Sequence, residues 1–147
     1  MTDTISHLEE LLKSVPPRLV DFSDADLAAT PTGRWTKKEI LGHLIDSAAN
    51  NHQRFVRAQA APRLVFPSYE QEFWVTTNAY ATEPWPEMVN LWLVLNRHLV
   101  HVVKAMPGEV LDHEVVIGPY APMTLRALVI DYVHHMEGHL SQLLGAA

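Results

Sequence analysis

The strongest constraint on the fold is a helix start at Thr36. A threonine followed three residues later by a glutamate, here Glu39, ties up two backbone amides that a helix's first turn leaves unbonded. No proline interrupts the chain from there to Pro62, and apolar residues recur at helical spacing. The expectation is one long helix from Thr36 to about Ala60. An isolated helix of this kind is marginal in water, so it must bury a face against others.

Three further segments carry the same periodicity. Ile5, Leu8, Leu11, Leu12 and Val15 predict a first helix over about Asp3 to Val15, which Pro16 and Pro17 should stop. Ser23-Asp24-Ala25-Asp26 reads as a short capped turn. A third long helix should start near Pro86 and run through Leu91, Leu95, Leu99 and Val102 to about Ala105, ended by Pro107-Gly108. The last should follow Thr124 as N-cap and finish near Leu144, with Gly145 as C-cap. Residues 61–83 read as a structureless connection of the lid or binding-loop kind, carrying Tyr69, Glu70, Gln71, Phe73 and Trp74. Residues 107–123 form a second crossover, in which Glu114 to Ile117 is strand-like. The fold class expected is therefore all-α: a four-helix bundle with long crossover loops, in a single domain over residues 1–147.

Charge and composition narrow the function. Eleven basic residues against seventeen acidic ones, a net charge of −6 and no basic run argue against nucleic-acid binding, which needs a basic footprint. No apolar run reaches the ~18–20 residues of a membrane span. Asp3, Glu9 and Glu10 stand where a signal peptide would be basic and then apolar, so a cytoplasmic location is expected. There is no cysteine, so a metal would have to be held by histidine or carboxylate, and the chain has nine histidines.

On the last helix, His139, Gln142 and Asp131 fall within about 40° of His135 on the helical wheel. They lie at the edge of the apolar face. Helix 2 repeats the arrangement, with His43, Ser47, Asn50, Arg54 and Glu39 on one polar stripe. Two histidines at i and i+4 present both rings on one face, and a third from another helix completes a set for one divalent ion. Neutral imidazole suits zinc, nickel, iron and copper. Glu39, Asp46 and Asp131 are near enough in sequence to orient an imidazole N–H. His98 and His101, at i and i+3, are a rival pair, and a histidine pair on a helix is more often an ordinary boundary feature. His7, His52, His113 and His134 read as surface residues, and Trp35, Trp74, Trp85 and Trp92 as core or lid packing. Asn50 and Arg54 are candidates for a substrate anion.

The segment from Trp35 to Ser47 with Asn50 and Arg54-Phe55, then Tyr69 to Trp74, then Met123-Thr124-Leu125 and Tyr132 to Leu140 resemble, in order, motifs of the DinB/YfiT-like superfamily. The resemblance implies a bundle of up-down-down-up connectivity with a divalent metal, nickel or zinc, held by His43, His135 and His139. It further implies a metal-dependent hydrolase of the YfiT-like branch acting on a small molecule. Low-molecular-weight-thiol-dependent transferases and isomerases are the alternative within the superfamily, and a non-catalytic metal- or ligand-binding bundle is the alternative outside catalysis. Homodimers are common among its members, so a dimer is expected. Asn50, Arg54, Tyr69 and Gln71 are the candidate substrate contacts, and Asp46 and Asp131 the candidate supports for the ligands. Relatives often carry two adjacent histidines where this chain has Gly138-His139, and Gly138 is expected to reflect close packing or room for substrate.

Overall fold

The computed structural model describes residues 1–145. Its helices are α1 (Thr2–Ser14), α2 (Pro16–Leu19), α3 (Asp24–Ala28), α4 (Lys37–Arg57), α5 (Gln71–Thr77), α6 (Trp85–Ala105) and α7 (Leu125–Leu144). The strands are β1 (Arg63–Phe66), β2 (Glu114–Ile117) and β3 (Met123–Thr124). The local signals act as expected at most helix ends. Thr36 and Glu39 form a reciprocal capping box on α4, and Ser23 and Asp26 do the same on α3. The Thr124 hydroxyl accepts the Ala127 amide, and Gly145 ends α7 in the left-handed region at φ 68°.

Helices α1, α4, α6 and α7 form the bundle, and their cross-contacts fix its directions. Glu9 of α1 pairs with Lys104 near the end of α6, while Leu12 and Lys13 share a crevice with Arg97 and Val100, so these two helices are antiparallel. Tyr80, just before α6, packs on Gly42, and His52 packs on His98, so α4 and α6 run parallel. His43 meets His139 while Phe55 meets Tyr132, so α7 opposes α4. The order is up-down-down-up. Leu8, Ile40, Leu41, Leu44, Met88, Trp92, Leu99, Leu125, Met136 and Leu143 are fully buried between the four helices. Each such side chain contributes roughly 1.5–3 kcal/mol relative to an exposed position.

Three expectations need correction. Pro16-Pro17 does not stop the first helix outright. Val15 keeps helical angles and Pro16 opens the extra turn α2, where proline lacks only an amide that a first turn leaves free anyway. The connection over residues 61–83 is not structureless, since it holds β1, α5 and a 3₁₀ turn at Tyr80–Thr82. β1 pairs in parallel with β2, Arg63 opposite Glu114 and Phe66 opposite Ile117, and β2 pairs antiparallel with β3. The two crossovers are thus joined in one sheet of order β1-β2-β3, buried through Phe66, Val115 and Ile117.

The third correction concerns Gly138. A Cβ there would meet nothing within 4 Å, so close packing does not explain the glycine. Close packing belongs instead to Gly42, where a Cβ would stand 2.2 Å from the Tyr80 ring. That contact lets the Tyr80 hydroxyl donate to Asp46 Oδ1 at 2.6 Å.

Candidate metal centre

The two polar stripes read from the wheels meet. His43 on α4 is fully buried, and His135 and His139, one turn apart on α7, are half-buried against it. One ring nitrogen from each lies within 4.8 Å of the others, and His43 Nε2 is 3.1 Å from His135 Nε2. The three rings are mutually edge-on, with centroids 4.6 to 5.0 Å apart. Among the described residues this is the one group of three or more histidines or carboxylates whose ligand atoms converge.

The surroundings keep these imidazoles neutral. Burial, then the nearby His139, His135 and Arg34 charges, push His43 down to about 3. Burial likewise lowers His135 and His139. Neutral rings are what a metal needs, because an imidazolium has no lone pair to give. His139 Nδ1 is 3.0 Å from Gln142 Oε1, which as an acceptor fixes the proton on Nδ1 and leaves Nε2 free toward the centre.

The donor set fits a divalent ion. Nitrogens bound at ~2.0–2.1 Å around a tetrahedral ion lie about 3.4 Å apart, close to the His43–His135 separation. His43 and His135 Nε2 have only each other as partners, so without a cation one lone pair is matched against a second nitrogen. His43 Nδ1 is buried with no partner.

Trp35 packs against the centre, its ring 4.7 Å from His43 and 6.3 Å from His139. Its indole N–H donates to Glu72 Oε2 at 3.0 Å, and Glu72 also pairs with Arg34, whose guanidinium lies over the Trp35 ring. The start of α5 is thereby tethered beside the histidines. The sequence reading had Trp35 only as packing and gave Arg34 and Glu72 no role, since nothing in their spacing links residues 34–35 to residue 72.

Along α4 and α7 from the histidines runs a cleft of about 420 Å³. His135 and Asp131 line one wall, Ser47, Asn51 and Arg54 another, and Ser68, Tyr69 and Gln71 the loop side. Of the candidate substrate contacts, Arg54, Tyr69 and Gln71 therefore face the cleft. Asn50 is not among the cleft-lining residues, and Asn51 occupies the cleft position; both amides donate to the carbonyl four residues back on their own helix. The candidate supports also separate. Asp131 lines the cleft, and its charge acts on His135. Asp46 is turned away from the imidazoles and accepts from Asn78 and Tyr80, while Glu39 is used in the helix cap. Burial raises Asp46 to about 6 against the opposing effect of those two hydrogen bonds. Burial also lifts Tyr69 to about 12, with the Asp46 charge adding to it, so its hydroxyl stays protonated at neutral pH.

His98 and His101 do not form a rival centre. Their rings stack at 6.3 Å on an exposed face, with His52 against His98 at 5.1 Å, and no third ligand atom converges with them.

Fold and geometry together define an all-α bundle with a candidate three-histidine metal centre on its flank. The chain belongs to the DinB superfamily, whose family model matches residues 7–143. Its structure is similar to that of YfiT from Bacillus subtilis, with a TM-score of 0.85 and 20% sequence identity over 97% of this chain and 82% of that one. YfiT is described as a probable metal-dependent hydrolase with an unusual four-helix bundle topology. No curated protein matches the sequence. Among the described residues, no helix is long and apolar enough to cross a membrane.

Proposed function

We propose that this protein is a metal-dependent hydrolase of small molecules, with a divalent ion, nickel or zinc, held by His43, His135 and His139. The observation that carries the reading is the convergence of three neutral imidazoles, one of which, His135, lines a cleft of about 420 Å³. Three protein ligands leave coordination positions open, the pattern of catalytic rather than structural sites. A divalent ion there supplies Lewis acidity, which polarises a substrate oxygen or acidifies water.

The chain's own residues supply the rest. Gln142 holds His139 in the tautomer that presents Nε2, and the Trp35 ring packs against His43 and His139. Tyr69, protonated at neutral pH, offers a hydroxyl donor at the cleft wall, and Ser47, Asn51 and Gln71 offer neutral polar groups to orient a bound molecule. The description of YfiT supports the hydrolase class over a passive metal site.

The test is metal-loaded protein assayed on a panel of small esters and amides, each with and without low-molecular-weight thiols. Thiol-independent turnover that disappears in His135→Ala is expected. Turnover that requires the thiol would replace hydrolysis with thiol transfer, and a tightly held ion with no turnover on any substrate would leave a binding protein.

A further inference from the structure

The cleft has a second end that the metal centre does not use. Arg54 lies on the same stripe of α4 as His43, eleven residues or about three turns further along. It is the one arginine buried among the described residues, 9% exposed, and what exposure it has is at the cleft wall. Arg34, Arg63 and Arg126 have carboxylate partners, whereas among the described residues no carboxylate lies within ion-pair distance of Arg54. Its one side-chain hydrogen bond is a long one, 3.5 Å to the neutral amide oxygen of Asn51. The Tyr69 ring, 5.9 Å from the guanidinium, gives it a cation–π contact but no counter-charge.

A guanidinium is charged at any physiological pH, and removing it from water without a counter-ion costs several kcal/mol. Buried charges in proteins are therefore paired, and this one is short of its pair. The planar fork of N–H donors suits a carboxylate or phosphate in two-point contact. The neighbours suit the same guest: Ser47, Asn51, Ser68, Tyr69 and Gln71 are all neutral and all carry a donor. The one carboxylate in the cleft lining, Asp131, acts on His135, which places negative charge toward the histidine end rather than beside Arg54.

We infer that the Arg54 end of the cleft is an anion subsite, and that the molecule this protein acts on carries a carboxylate or phosphate group there while its reacting part lies toward the three histidines. The second half of the statement rests on the hydrolase reading; the anion subsite itself does not. Arg54 is thus a specificity determinant.

The test reads binding rather than turnover. Inorganic phosphate and glutarate are titrated by calorimetry, at matched ionic strength, into wild-type protein, Arg54→Met, Arg54→Lys and the His135→Ala/His139→Ala variant. Saturable binding that weakens at least about tenfold in Arg54→Met is expected, the worth of one charge-assisted hydrogen bond or more. Arg54→Lys should recover part of it, and the histidine variant should retain it. The tighter of the two probes names the anion class. In case Arg54→Met fails to fold, phenylglyoxal modification of the wild type is followed by mass spectrometry. Phosphate or glutarate should slow modification at Arg54 several-fold and leave exposed Arg97 unaffected. Equal affinity in wild type and Arg54→Met, no saturable binding of either anion, or no protection of Arg54 would overturn the inference. Failure of the metal reading would appear separately, as absence of metal uptake by the wild type.

Discussion

α4 contributes a histidine to two clusters that look alike on paper. His43 meets a pair at i and i+4 on α7, and His52 meets a pair at i and i+3 on α6. The first group is buried or half-buried, edge-on and convergent, with Trp35 behind it and Gln142 holding one ring. In the second, His98 and His101 stand at the surface with rings inclined by only 25°, stacked side by side rather than aimed at a common point. Spacing brings rings to one face of a helix. What makes a candidate site is the place where that face meets a neighbour, because only a partly buried groove strips water from the rings and turns their lone pairs inward.

The sharpest way to break this comparison is to remove each pair in turn. His135→Ala/His139→Ala should reduce bound metal from near one ion per chain to background by plasma mass spectrometry, while His98→Ala/His101→Ala should leave it unchanged. Equal loss in both would abolish the distinction. The next largest effect concerns the packing behind the first group. Gly42→Ala drives a methyl into the Tyr80 ring and should destabilise by about 3 kcal/mol or more in urea unfolding; a neutral result would mean that Tyr80 is free to move. Its counterpart in Asp46 is a pH effect. The folded carboxyl titrates at about 6, above its ordinary 3.8, so the folded state keeps a proton that the unfolded state gives up between those values. Stability on this account falls as pH rises from about 4 to about 6, by roughly 2–3 kcal/mol. The buried histidines act with the opposite sign, so the quantity to measure is the difference between wild type and Asp46→Asn across that window. The smallest effect is expected at Gly138→Ala. An open helical position with no contact to lose should gain about 0.5–1 kcal/mol and keep its metal.

The helices α3, α4 and α7 were legible because their ends carry local chemistry: the boxes at Ser23–Asp26 and Thr36–Glu39, the Thr124 cap and the Gly145 terminus. The three convergent histidines were legible too, since two wheels gave them the same offset from the apolar face. The place of Asn51 in the cleft lining was not legible, for a related reason. A wheel gives the direction of a side chain but not the side on which the neighbouring helix and loop close over it, and the cleft lies toward Asn51. Asp46 was near the histidines in sequence, yet Tyr80 and Asn78 arrive from a distant segment and claim its carboxylate. Of the sheet, only β2 at Glu114–Ile117 was legible as strand-like; β1, β3 and their pairing were not, because the strands have only two to four residues and β1 finds its partner across a large sequence gap, where periodicity carries no signal.

That pairing also dictates the order in which the molecule can assemble. Arg63 and Glu114 are 51 residues apart, and the loop they close contains α5 and all of α6. Bringing such distant ends together is opposed by chain entropy until the intervening helix has docked and shortened the search. The bundle therefore has to condense first, and the β-strands zip afterwards. Since Ser68 and Tyr69 follow closely on β1 and Met123 belongs to β3, the loop side of the cleft closes over its helical walls at the end of folding, as its latest and most easily reopened part.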